Sequence, residues 1–210
     1  MGGCFITFEG GEGCGKSTQV ARLAEALRAC GREVVLTREP GGTRLAELIR
    51  GLLREELQDP PCDKAELLLF LAARAQLVTN VIRPALAAGK WVLSDRFSDS
   101  TFAYQGYGRG LDLATLRLIN SFATSSLVPD RTLLLDVEPK ESLRRMRARE
   151  RATATMADRI ESAGDDFHAR LRAGFLEMAA NEPQRIVRID ANGSADEVWE
   201  AVWTAIKPLI

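Results

Sequence analysis

Short runs of β-branched and aromatic residues alternate along this chain with longer stretches in which apolar positions recur every three or four residues. The short runs at 4–8, 33–37, 91–94, 132–136 and 185–189 predict strands. The spaced stretches at 16–30, 43–56, 63–88, 113–125, 140–149 and 165–181 predict helices, and 195–206 predicts a last one. Gly31 and Gly89 fall just past predicted helices, and Pro139 opens the next, where each residue type fits. Apolar strands alternating with helices imply an α/β fold, a five-stranded parallel sheet flanked by helices on both faces. No internal repeat or low-complexity linker interrupts the pattern, so residues 1–210 read as a single domain. Parallel strands collect ligands at their carboxyl ends, which makes the residues after each strand the ones to read.

After the first strand stands Gly10-Gly11-Glu12-Gly13-Cys14-Gly15-Lys16-Ser17, the P-loop pattern G-x-x-x-x-G-K-[ST], opening a predicted helix. Its glycines let successive backbone N–H groups face one anion, and the helix N-terminus adds partial positive charge. These residues, with Thr18, are the expected ATP-binding set. Lys16 would reach the β- and γ-phosphates, and Ser17 would ligate Mg²⁺. A glycine-rich turn followed by a chance Lys-Ser is the plainer alternative, but it does not account for the strand before and the helix after.

Composition narrows the partners. Hydrophobic residues make up 46% and charged residues 27% of the chain, and the net charge is −1, so no global basic field invites a nucleic acid polymer. Cys4, Cys14, Cys30 and Cys62 are spaced too irregularly for a zinc site and read as reduced thiols. The longest apolar stretch, 67–73 between Glu66 and Arg74, is too short to span a membrane. The N-terminus shows no signal core, and position 6 is Ile where a myristoylation motif needs Ser or Thr. The expectation is a cytoplasmic protein without a membrane or nucleic acid partner.

A P-loop names only a nucleoside triphosphate; the acceptor must be read elsewhere. Arg38-Glu39-Pro40-Gly41-Gly42-Thr43 follows the second strand, and Ser94-Asp95-Arg96-Phe97 ends the third, leading to Ser100-Thr101-Phe102-Ala103-Tyr104-Gln105-Gly106. Between them Phe70 and Arg74 lie four apart, on one helix face. Phe70 offers a flat apolar face for a base, and Arg74 a directional donor for a base carbonyl. Ser100, Thr101 and Gln105 supply polar groups for the remaining edge, and Tyr104 can crowd a sugar. Taken singly, Phe70 reads as core, Arg74 as a solvated helix residue, and Tyr104 and Gln105 as loop residues. Asp95-Arg96 at the end of a buried strand is costly without partners or ligand. Asp95 suits the Mg²⁺ shell, and Arg96 a bidentate grip on an acceptor phosphate.

The runs "TREPGGT", "LFLAARAQ", "SDRFSDSTFAYQG" and "DRIE" resemble thymidylate kinases, from the first strand to the final helix. The resemblance implies a P-loop kinase fold with a short lid and transfer of a phosphoryl group from MgATP to dTMP, a step of dTTP synthesis. It also implies a homodimer, to which the apolar 63–88 helix would contribute. In such kinases Phe70 would stack on thymine, Arg74 would address a base carbonyl, Tyr104 would bear on deoxyribose preference, and the Glu39–Pro40 bond would be cis. Glu12 would face the acceptor side.

Phosphoryl transfer needs positive charge on the migrating group, and the variable P-loop positions hold no arginine. Residues 144–161 carry Arg144, Arg145, Arg147, Arg149, Arg151 and Arg159, which predicts an arginine-rich lid at about 147–161. The resemblance implies that the lid supplies the catalytic arginine, with Arg149, Arg151 and Arg159 as candidates beside Lys16 and Arg96. A solvated basic helix paired with Glu150 is the plainer reading of several of these. His168 reads as structural or surface, and 190–194 either borders adenine or caps the last helix through Ser194. Two other functions share the P-loop: a kinase for another monophosphate, and a partner-regulated ATPase. Intact Lys16, Ser17, Asp95 and Arg96 argue against a catalytically dead relative.

Overall fold

The computed structural model describes residues 2–55, 57–153 and 164–210. Strands β1 (Phe5–Glu9), β2 (Val34–Arg38), β3 (Trp91–Asp95), β4 (Arg131–Asp136) and β5 (Ile186–Asp190) form one parallel sheet in the order β2-β3-β1-β4-β5. Each begins and ends within one residue of its predicted place. β1 is the central strand, pairing with β3 on one side and β4 on the other, and all five of its residues are buried.

The pleat of β1 sorts the two layers. Ile6 and Phe8 face a core built from Leu23 and Leu27 of α1 (Lys16–Ala29) and Val202 and Ile206 of α9 (Ala195–Ile206). Phe5 faces the opposite layer, with Leu77 of α3 (Asp63–Leu77) and the following Val78 and Ile82. Thr7 bonds Thr132 of β4 at 2.8 Å, and Glu9 ends the strand under the segment after β3. The remaining helices are α2 (Arg44–Arg54), α4 (Arg83–Ala87), α5 (Ser98–Thr101), α6 (Leu113–Thr124), α7 (Pro139–Thr153) and α8 (Asp165–Asn181).

Two segments depart from the sequence reading. The predicted 63–88 helix contains a π-helical turn, Val78–Ile82, between α3 and α4. Pro84 has no N–H to return to Asn80, so a wider turn leads into it. After β3, residues read as following a strand form the short α5 and then a second π-helical segment, Phe102–Gly108. The membrane argument also changes. Because the helical run Asp63–Ala87 continues through its polar positions, its 25 residues include an 18-residue window with a mean hydropathy of 1.5, enough by length and composition for a span. Leu67, Leu71, Leu77, Val78 and Ile82 of that run are buried against the rest of the fold, which accounts for its apolar content.

Candidate active site

The P-loop leaves β1 through Gly10, whose φ of 135° is closed to side chains and whose place would bring a Cβ within 2.4 Å of the Leu135 carbonyl of β4. At Gly13, φ is 68° and a Cβ would meet the Ser142 carbonyl of α7 at 2.8 Å, so α7 rests directly on the loop. The Ser142 hydroxyl also donates to the Glu12 carbonyl at 2.7 Å. Lys16 begins α1, and its ammonium donates back to the Gly10 and Gly11 carbonyls at 3.1 and 2.8 Å. Cys14 turns its side chain into the core, so its backbone is what remains for a phosphate. Ser17 donates to Asp95 Oδ2 at 2.8 Å, which brings the two predicted metal ligands together. Among the described residues, no group of three or more His, Cys, Asp or Glu side chains gathers as a metal cluster.

Opposite the loop, Arg96 holds a left-handed φ of 74°. Its N–H donates to the Phe8 carbonyl at 2.9 Å, and its own carbonyl accepts from Ser94 Oγ at 2.7 Å, fixing that conformation from both sides. The guanidinium donates to the Gly10 carbonyl at 3.0 Å and Ser100 Oγ at 3.2 Å, pairs with the Glu12 carboxylate, and lies 5.0 Å from the Tyr104 ring centre. Burial works against this charge, but Tyr104 and the carboxylates of Glu12, Asp95 and Glu9 hold its pKa well above the usual value. Tyr104 donates to Glu12 at 3.1 Å, and burial first, then Glu12, pushes its hydroxyl far up. The Glu12 side chain thus belongs to the acceptor side, while its peptide belongs to the phosphate loop.

Glu9, which the sequence reading passed over, organises the same segment. Its Oε1 accepts from the Phe97 and Ser100 N–H groups at 2.8 and 3.2 Å, and Oε2 accepts from Ser100 Oγ at 2.6 Å. Burial and neighbouring Asp99 raise its pKa to about 7. Asp99 is itself paired with Arg185 at 2.7 Å. An acid ending a fully buried central strand was the available signal.

At the far end Arg74 is 1% exposed and has every donor engaged. Nε and Nη2 donate to Glu39 Oε2 at 2.8 and 2.6 Å, Nη2 also to the Phe97 carbonyl, and Nη1 to Thr101 Oγ1 at 2.7 Å and Asn120 Oδ1 at 2.8 Å. Arg74 is therefore no solvated helix residue. Asn120 of α6 escaped the sequence reading because nothing local marks a helix asparagine as an arginine partner. Among the described residues Glu39 Oε1 has no hydrogen-bond partner, and burial raises the Glu39 pKa despite Arg74. The Glu39–Pro40 bond is cis. Phe70 is half-buried, lining the cavity on one side and packing with Ala46 and Ile49 of α2 on the other. Gln105 donates to Glu66 Oε1 at 3.1 Å.

One cavity of about 490 Å³ joins the phosphate loop to this far end. Apart from Gly10, Gly11 and Cys14, every predicted binding or metal residue lines it: Glu12, Gly13, Gly15, Lys16, Ser17, Thr18, Glu39, Pro40, Phe70, Arg74, Asp95, Arg96, Ser100, Thr101, Tyr104 and Gln105. Arg38, Arg50, Arg54 and Arg145 line it too. Arg50 and Arg54 share one face of α2, a four-residue spacing that was legible in sequence. Arg145 spans from Glu141 to the Asn192 and Gly193 carbonyls. In that same turn Ser194 forms a capping box with Glu197, the capping role read for it. Of the lid candidates, Arg149 and Arg151 fall within α7 but their side chains lie outside the described residues, as does all of Arg159.

The thymidylate kinase family model matches residues 8–202. A thymidylate kinase of Solidesulfovibrio magneticus is 50% identical over 208 residues, 98% of this chain and 100% of that one. One of Bifidobacterium longum is 49% identical over 212 residues, covering all of both chains. The crystal structure of thymidylate kinase from Ehrlichia chaffeensis superposes with a TM-score of 0.76 at 35% identity, over 98% of this chain and 99% of that one. The chain belongs to the thymidylate kinase family.

Proposed function

We propose that this protein transfers the γ-phosphoryl group of ATP to dTMP, giving dTDP and ADP. The bond from the γ-phosphorus to the oxygen of the ADP leaving group breaks as a bond from a dTMP phosphate oxygen forms. The observation that carries this reading is one cavity with a triphosphate loop at one end and, at the other, an arginine clamp and an aromatic-lined pocket. Because the acceptor phosphate is already an anion, catalysis reduces to alignment and charge neutralisation.

The loop N–H groups and the α1 N-terminus hold the triphosphate, and the Lys16 ammonium exchanges its loop carbonyls for phosphate oxygens. Ser17 and Asp95 offer the hard oxygen donors that Mg²⁺ prefers and would hold it, the remaining positions going to phosphates and water. When bound, the ion neutralises charge on the phosphates. Arg96, held in place by Glu12, Ser100 and Glu9, grips the acceptor phosphate. Phe70 stacks on the base and Tyr104 faces the sugar. Since Arg74 has spent its donors on protein partners, it acts on the base through Thr101: that hydroxyl accepts from Arg74 and keeps its own proton for a base carbonyl. Arg149, Arg151 and Arg159, on the lid at about 147–161 of this single domain, are the candidates for the cation on the migrating group. Separate alanine substitutions identify the one that lowers kcat.

The functional unit is a homodimer. Leu45, Leu48 and Leu52 of α2, Leu68 of α3, and Leu118 and Phe122 of α6 are exposed, and these helices adjoin through α3. Four free cysteines fit a reducing, cytoplasmic setting. The test is ADP release from MgATP with dTMP, dUMP, dCMP, AMP, GMP or no acceptor. The expected order is dTMP first, dUMP slower because one methyl group is worth about 1–3 kcal/mol, and little otherwise. Release independent of any acceptor overturns the kinase reading.

A further inference from the structure

We propose that Glu66 is the residue that makes the base end of this site accept a pyrimidine carrying a proton on N3, by turning the Gln105 amide so that its carbonyl faces the cavity. The inference rests on the reading of a pyrimidine monophosphate as acceptor. Gln105 is almost fully buried and lies within 3.1 Å of Glu66 Oε1. A carboxylate only accepts hydrogen bonds, so the amide nitrogen must be the atom that faces it. The carbonyl is left on the cavity side, where it takes no hydrogen bond from the described residues.

Glu66 is held in its own place with equal firmness. It is 1% exposed, and Oε2 accepts from Arg109 Nη2 at 3.0 Å. Arg109 is fixed in turn by Asp63 at 3.3 Å and by the Phe167 ring at 5.6 Å. A carboxylate at this depth needs both its cation and its amide donor, so the Gln105 amide is not free to turn. Thymine and uracil present N3–H between two carbonyls, matching an acceptor. Cytosine presents a bare N3, which would set acceptor against acceptor. A buried polar group left without its partner rejects a ligand far more strongly than a missing methyl group does.

The experiment compares kcat/KM for dTMP and 5-methyl-dCMP, which keep the same methyl group, sugar and phosphate, in the wild type and in Glu66→Gln. In that variant Arg109 claims the new amide's oxygen, its NH₂ faces Gln105, and the Gln105 amide turns to put its own NH₂ in the cavity. The expected result is a preference for dTMP that falls by roughly 100-fold or more, with KM for ATP near wild type. A second variant, Gln105→Met, leaves the Glu66–Arg109 pair intact while removing the reader, and the same collapse is expected. An unchanged preference in either variant overturns the assignment. A wild type inert to dTMP overturns the acceptor reading itself, and the Glu66 assignment with it; the two failures are told apart by the wild-type rate.

Discussion

The Ser17 hydroxyl donates to Asp95 Oδ2 at 2.8 Å, joining the first turn of the P-loop helix to the end of β3. Asp95→Asn keeps the shape of that contact and removes its charge. We expect turnover to fall roughly 100-fold, as when one preorganised electrostatic group is lost, and the Mg²⁺ concentration for half-maximal rate to rise. A magnesium titration of both enzymes checks it; an unshifted titration removes Asp95 from the ion's shell.

Arg96→Ala should cost about 1,000-fold or more in kcat, the scale seen when a transition-state arginine is removed. ATP affinity should hold, because the guanidinium meets the loop at the Gly10 carbonyl and the Glu12 carboxylate, not at the N–H groups proposed to hold the triphosphate. Arg96→Lys should recover little, since an ammonium cannot reproduce a planar two-pronged grip. Steady-state kinetics beside direct ATP titration separate the two effects.

Arg74 and Glu39 form a buried pair, their side chains 2% and 5% exposed. Removing the arginine alone leaves an uncompensated carboxylate, so Arg74→Met should destabilise by about 3–5 kcal/mol. Adding Glu39→Met should restore much of that loss while activity stays low. Urea denaturation of the two variants reads the difference, and additive losses would sink the pairing argument.

Glu9 gives the fold a pH dependence of definite sign. Its pKa rises from 4.5 unfolded to about 7 folded, through burial and then Asp99. Between those values the folded chain keeps a proton that the unfolded chain releases. The carboxyl's contribution is therefore most favourable below about 4.5 and is lost as pH rises through 7. Relative to Glu9→Gln, the wild type should lose thermal stability from pH 5 to pH 8. Melting curves at matched ionic strength check the sign.

Phe122 is 89% exposed on α6. If the chain pairs as proposed, Phe122→Asp should give a monomer in light scattering at micromolar concentration, because a charge placed in an apolar contact cannot be desolvated cheaply. A wild type already monomeric rules the proposed assembly out.

The strands, the loop and the acceptor motifs were legible because each is local: a run, a spacing, a glycine pattern. Phe70, Arg96, Tyr104 and Gln105 were found as residue types fitting one chemistry, and they line one cavity. What sequence could not convey is how a side chain's bonding capacity is shared out. Arg74 looks like a donor waiting for a base, yet Glu39, Thr101, Phe97 and Asn120, as many as 46 positions away, use all of it. Glu9 and Glu66 were missed for the matching reason: each acts through a neighbour, and neighbours across elements leave no periodicity. The π-helical turns escaped as well, since a register change alters backbone bonding without altering apolar spacing.

The clasp between Ser142 and the Glu12 carbonyl has a thermodynamic corollary. Glu12 is a shared wall: its peptide belongs to the phosphate loop, its carboxylate faces Arg96 and Tyr104, and α7 leans on its back. Two nucleotides bound as proposed would therefore be coupled through it. Whatever factor ATP imposes on the affinity for monophosphate, monophosphate must return to ATP in full, because the coupling free energy between two sites has no direction.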